Sequence, residues 1–154
     1  MYCSPDYLDD DYAAVIMRWR KCVLSHGTAL HLLGLSDRVP FQLDVTVPHG
    51  YNPHGLSIEY PGIVIHRVNP EIYEVGLSRV EASDGVMLAS YNAERCIADL
   101  IKERRQSHVD GQLVHDALTG YFHRPDRNLA ELSRICTVLG VRRELQVYLE
   151  VFGS

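Results

Sequence analysis

The 154-residue chain is 46% hydrophobic and 23% charged, the composition of an ordinary globular domain, which excludes a disordered or fibrous chain. Its net charge of −5 argues against a freestanding nucleic-acid module, because phosphate binding needs a basic field. A chain of this length buries enough surface to fold without a disulfide or metal staple.

The charge is unevenly placed. Residues 1–93 hold 6 basic and 11 acidic side chains, whereas residues 94–154 hold 9 of each. Asp6, Asp9, Asp10 and Asp11 supply much of the excess, and the neutral C-terminal part carries the basic pairs Arg104–Arg105 and Arg142–Arg143. Cys3, Cys22, Cys96 and Cys136 form no C-x-x-C pair, a spacing that fits a reducing cytoplasm better than a disulfide framework or a zinc knuckle. No basic segment leads into an apolar stretch near residue 1, and no apolar run approaches the ~20 residues that span a bilayer. Neither export nor a membrane is expected.

In chain order, the carboxylates of Asp9–Asp11 precede good helix formers and suit a helix dipole, predicting a helix over about 9–20. Cys22–Leu24 reads as a short apolar bridge. Ser25 is then a candidate N-cap for a second helix through Leu33, stopped by Gly34. Phe41–Val47 alternates apolar and polar residues, predicting a strand with one wet face. His49–Gly55 is a turn-rich loop, and Ile63–Val68 a second strand. Asn69–Pro70 favours a turn that opens one helical turn to Val75. Leu77–Ala82 and Val86–Tyr91 form a hairpin around Ser83-Asp84-Gly85. Asn92 caps a helix with Ala93, Ile97, Leu100 and Ile101 on one face and cations in its last turn. Helices at about 109–122, 128–139 and 141–152 complete the chain. The predicted class is α+β, with two N-terminal helices, a small mostly antiparallel sheet and an all-helical C-terminal third.

Catalytic and metal-binding patterns are weak. His26 and His31 lie five apart, off the i,i+4 spacing of helical ligands, and there is no H-E-x-x-H. His49 and His54 read as solvent-facing loop residues. Ser25-His26 lacks the G-x-S-x-G elbow, and adjacent residues at a helix start diverge, so Ser25 is expected to cap rather than attack. Neither glycine pattern that cradles phosphates occurs, so no nucleotide cofactor is expected. Asp44, Glu59 and Lys102 loosely resemble the carboxylates and lysine of Mg²⁺-dependent nucleases. The alternative for Asp44 is simple solubility on a wet strand face. No metal site and no enzyme activity are expected.

Three longer segments carry a more specific signal: Leu24-Ser-His-Gly-Thr-Ala-Leu-His-Leu-Leu-Gly-Leu-Ser-Asp-Arg-Val-Pro40, Val45-Thr-Val-Pro-His-Gly-Tyr-Asn52, and Tyr91-Asn-Ala-Glu-Arg-Cys-Ile-Ala-Asp-Leu-Ile101. In that order they closely resemble the AbiEi family, the antitoxins of abortive-infection (phage defence) toxin–antitoxin systems, over roughly residues 8–150. The chain departs from the family at Gly27, commonly Glu, and at Asn92, commonly Asp; both keep residues able to cap a helix. Complete members usually begin with a winged helix-turn-helix, whereas residues 1–8 look like the residual tail of such a domain and residues 9–154 like the C-terminal antitoxin domain.

The resemblance implies an antitoxin that counteracts a nucleotidyltransferase-like toxin. In full-length form such a protein also autorepresses its operon, and promoter DNA would be reached only through the missing winged helix. The usual designation is type IV, in which neutralisation need not involve a stable complex. The alternatives are a purely transcriptional co-regulator and the Mg²⁺-dependent nuclease. Ser25, Asp37, Arg38, Glu94, Arg95 and Asp99, where the resemblance is densest, are expected to form one polar cluster in which Arg95 and Asp99 pin their helix to the Asp37–Arg38 segment. Arg104, Arg105, Arg124, Arg127, Arg142 and Arg143 are a candidate basic face for phosphate or an acidic partner.

Overall fold

A computed structural model describes residues 5–37, 42–82, 85–106 and 109–152. Helix α1 (Pro5–Arg18) starts four residues before the predicted boundary, so residues 5–8 are helical. Tyr12, Val15, Ile16 and Trp19 recur at helical spacing and are buried, which gives α1 one apolar stripe to lay on the sheet. The chain then enters β1 (Val23–Leu24), α2 (His26–Leu32), β2 (Asp44–Pro48), α3 (Leu56–Glu59) and β3 (Val64–Val68). It continues through α4 (Pro70–Tyr73), β4 (Leu77–Glu81), β5 (Met87–Tyr91), α5 (Ala93–Arg105), α6 (Gly111–Phe122), α7 (Leu129–Val138) and α8 (Arg142–Phe152).

The class is α+β, with a helical C-terminal region as predicted, but two features of the sheet differ. The apolar bridge at Cys22–Leu24 contains the central strand of a five-stranded sheet ordered β3-β2-β1-β5-β4. The sheet is also mixed rather than mostly antiparallel. β1 runs antiparallel to β2 and β4 to β5, while β2–β3 and β1–β5 are parallel. The parallel pairs arise because α3 crosses between β2 and β3, and because β1 meets a strand more than sixty residues later. The tip of the predicted hairpin, Ser83–Asp84, lies outside the described residues; its flanks close through Ala82 N–H to the Val86 carbonyl at 2.8 Å.

Two cores lie against the sheet. Cys22, Leu24, Val45, Val47 and Leu88 join α1 in one. Val23 and Tyr91 join α2, α5, α6, α7 and α8 in the other. Alternate residues of β1 thus enter opposite cores, as the period of two requires. The same period turns Asp44 and Thr46 away from Val45 and Val47. The predicted wet face of β2 is not wet: Asp44 is 5% exposed and Thr46 fully buried.

Candidate functional site

The chain leaves β1 and enters α2 without a linker. Ser25 is extended, and His26 takes φ +53°, the left-handed region. It is the one non-glycine residue described with positive φ. His is among the few types enriched there, and such a residue persists only where its surroundings over-determine it. Here they do. Ser25 N–H donates to the Asp44 carbonyl at 3.2 Å, and Asp44 N–H to Thr28 Oγ1 at 2.9 Å. Thr46 Oγ1 donates to Ser25 Oγ at 2.8 Å, and Ser25 Oγ lies 2.9 Å from His26 Nδ1.

Because Ser25 Oγ accepts from Thr46, its own proton is free for His26 Nδ1, a pairing that suits the neutral imidazole with its proton on Nε2. Burial pushes the His26 pKa down, in keeping with that assignment. Ser25 does occupy the N-cap position of α2, as expected, but its side chain makes no cap bond and turns to Thr46 and His26 instead. The expected divergence of Ser25 and His26 is corrected: Ser25 Oγ and His26 Nδ1 lie 2.9 Å apart.

The His26 ring stacks on His66, with centroids 3.7 Å apart and planes at 17°. His66 Nε2 lies 3.1 Å from Asp44 Oδ1, which also accepts from Gln42 Nε2 at 3.3 Å. Helix α5 brings carboxylates to the same place. Burial raises the Glu103 pKa to about 7, with Asp99 and Asp44 adding to the rise and His66 opposing it. A Cβ on Gly27 would touch Asp44 Oδ2 at 3.4 Å, so a side chain here would stand against a buried carboxylate.

A second polar knot lies on α5 itself. Arg95, 1% exposed, donates from Nε to both Asp99 oxygens at 3.1 Å and from Nη1 to the carbonyls of Ile72 and Val75 at 2.6 and 2.7 Å. Its guanidinium sits 4.1 Å from the Tyr91 ring centroid, a cation–π contact. Gly76 follows the α4 segment at φ +81°, where any Cβ would come within 2.5 Å of Arg95 Cβ.

Of the six residues expected in one cluster, the four buried ones, Ser25, Glu94, Arg95 and Asp99, separate into three sets. Ser25 belongs to the β1–α2 turn, while Arg95, paired with Asp99, binds the α4 segment. Glu94 turns the other way, accepting from Tyr121 Oη at 2.7 Å and Asn128 N–H at 3.1 Å. Asp37 is exposed, and Arg38 lies outside the described residues. Asp99 still belongs to the turn's surroundings, since its charge favours protonation of His26.

The candidate basic face divides as well. Arg105, Arg142 and Arg143 line an open depression of about 380 Å³ with Glu144, where Arg105 donates to the Gly140 carbonyl at 2.8 Å. Arg104 donates to the Val109 carbonyl. Arg124 ties the α6–α7 loop to the Leu33 carbonyl at 2.8 Å and pairs with Asp126, and Arg127 donates to the Arg124 carbonyl.

Of the nuclease-like set, Glu59 is paired with Arg18 rather than with Asp44, and Lys102 is a half-buried residue of α5. Among the described residues no group of three His, Cys, Asp or Glu side chains is disposed to hold a metal ion. His49 and His54 are exposed. His66 was missed in the sequence; the available signal was Asp44 and Thr46 at i,i+2, with His66 directly opposite Thr46 in the parallel register. No helix among the described residues is long and apolar enough to cross a membrane. Comparison with protein-family models and with curated proteins returns no match.

Proposed function

We propose that the chain is an AbiEi-like antitoxin domain that counteracts a nucleotidyltransferase-like toxin in the bacterial cytoplasm, as part of a phage-defence system, and that it catalyses no reaction itself. The observation that carries this reading is the ordered resemblance of segments 24–40, 45–52 and 91–101 to that family. It is supported by where those segments lie. They supply β1 with α2, β2, and the end of β5 with α5, elements joined through β1. The nucleophile reading of Ser25 has little support, because its side chain is fully buried. The transcriptional part of the family's role belongs to the winged helix.

Co-expression with the cognate toxin tests the proposal. Cells carrying this 154-residue chain should be rescued; toxicity unchanged by a folded, expressed chain overturns it. The chain alone should bind operator DNA only weakly, given its net charge of −5 and the salt-screened nature of phosphate contacts. A sequence-specific gel shift at sub-micromolar concentration and physiological salt contradicts that expectation.

A further inference from the structure

We propose that the stacked His26–His66 pair is a proton-operated latch, closing the β1–α2 turn onto β2 and β3 while the rings are neutral and releasing it when both are protonated. The inference concerns the turn's own mechanics and does not depend on the antitoxin reading.

Three observations carry it. The two rings come from separate elements, α2 and the edge strand β3, and stack at 3.7 Å across β2. His26 holds a left-handed backbone at φ +53°, so the turn stores strain that its contacts must offset. The Ser25 hydroxyl, already accepting from Thr46, has a proton to give only to a neutral Nδ1. A protonated His26 must donate to Ser25 Oγ instead, and the Ser25 proton then loses that acceptor.

The charges around the rings decide the outcome. From β2, Asp44 bonds His66 and favours a first proton on the pair. From α5, Asp99 also favours a charged His26, whereas Arg95 and the partner His66 oppose it, and burial opposes it most. Glu103, held at about 7, loses its negative charge over the same pH range and so withdraws from the compensation. One imidazolium is accommodated by Asp44. A second, face to face with the first, is not, because like charges at this separation repel strongly away from bulk water.

The test is a histidine-ring NMR titration of the full chain together with amide hydrogen exchange, on wild type, His66→Gln and His26→Asn. Gln retains a donor for Asp44, and Asn tolerates positive φ. In wild type, His26 should titrate below the ordinary 6.5. His66→Gln should raise its midpoint by about one unit. Between pH 7.5 and 5, protection of the Ser25 and Asp44 amides should fall about tenfold in wild type, the equivalent of one unit of coupling, while Ile97 in the core stays protected. Either substitution should flatten that fall. A His26 midpoint that ignores His66→Gln, or turn protection that does not change with pH in wild type, overturns the latch. Since each variant removes one ring of the stack, loss of one to misfolding leaves the exchange profile of the other decisive.

Discussion

The region from Ser25 to Asp99 and the three C-terminal helices are stabilised by different chemistry. Every buried polar or charged residue described lies in the first region; α6, α7 and α8 contribute none among the described residues. Their contacts are Val114, Leu118, Leu132, Ile135 and Leu145 packed on α5, joined to it by the Tyr121–Glu94 bond. Apolar packing is tolerant of exchange at constant volume, whereas a wired polar interior specifies geometry and fails abruptly when a partner is lost. The C-terminal helices thus read as a support, and the β1–α2 turn with the α4 segment as the part whose arrangement is specified.

The largest expected effect follows from that contrast. Arg95→Ala should cost about 3–5 kcal/mol in chemical denaturation, because Asp99 would remain buried and unpaired and the Ile72 and Val75 carbonyls would each lose a charged donor. Leu132→Ala in the support should cost about 2–5 kcal/mol by leaving a cavity. The two should part in kind when a similar volume is restored. Leu132→Met should recover most of the stability, whereas Arg95→Met should not, since it restores bulk without the donors. If Arg95→Ala costs less than about 1 kcal/mol but abolishes toxin rescue, the knot serves binding rather than architecture.

Next come two glycines with the same backbone and different surroundings. Gly76 and Gly140 have φ +81° and +77°, but a Cβ at Gly76 meets Arg95 while one at Gly140 meets nothing within 4 Å. Gly140→Ala should cost about 1 kcal/mol, the backbone term alone, and Gly76→Ala at least about 2 kcal/mol, because Arg95 cannot yield without breaking its bonds. Equal costs would mean that the α4 segment shifts freely, and that the wired region is softer than its bonds suggest.

What could be read in the sequence divides along the same line. The C-terminal helices and α5 were legible because a 3.6-residue period and caps are local; Asn92 does accept from Arg95 N–H, and Asn128 from Glu131 N–H. The polar interior was not, because its partners are remote. Arg95 and Asp99 announce themselves as an i,i+4 pair, but nothing local directs Arg95 to carbonyls twenty or more residues away. β1 was missed because two residues carry no period, and its strand character comes from pairing on both sides. Asp44 was misread because alternation shows which residues share a face and not whether α2 and α5 cover it.

Ser25→Ala probes the turn directly and should cost about 1–3 kcal/mol, since Thr46 Oγ1 and His26 Nδ1 each lose a buried partner. Ser25→Gly, which leaves room for a water to bridge those two atoms, should cost less of the hydrogen-bond term. Denaturation of both variants at pH 7.5 separates them. A cost near zero for Ala would mean that the relay is ornamental and the turn is held by backbone bonds to Asp44 alone.

The smallest effect is the most informative about charge. Glu103 has its folded pKa raised to about 7 from an ordinary 4.5, so its contribution to stability is fully present below 4.5 and lost as pH rises through 7. His26 has its pKa lowered from 6.5, so its contribution is present above 6.5 and lost as pH falls through the folded value. Between 4.5 and 6.5 the two slopes oppose each other, and the intact protein should show a shallow pH dependence there. Glu103→Gln removes one of them. The variant should gain about 1 kcal/mol at pH 8 and almost nothing at pH 4, and its stability should fall more steeply than wild type between pH 6.5 and 5 because the His26 loss is no longer offset. Urea denaturation at half-unit pH intervals resolves this. A gain of equal size at pH 4 and pH 8 would place the effect in helix propensity rather than in the titration of Glu103. The acid side of α5 would then have no part in setting the proton balance of the turn.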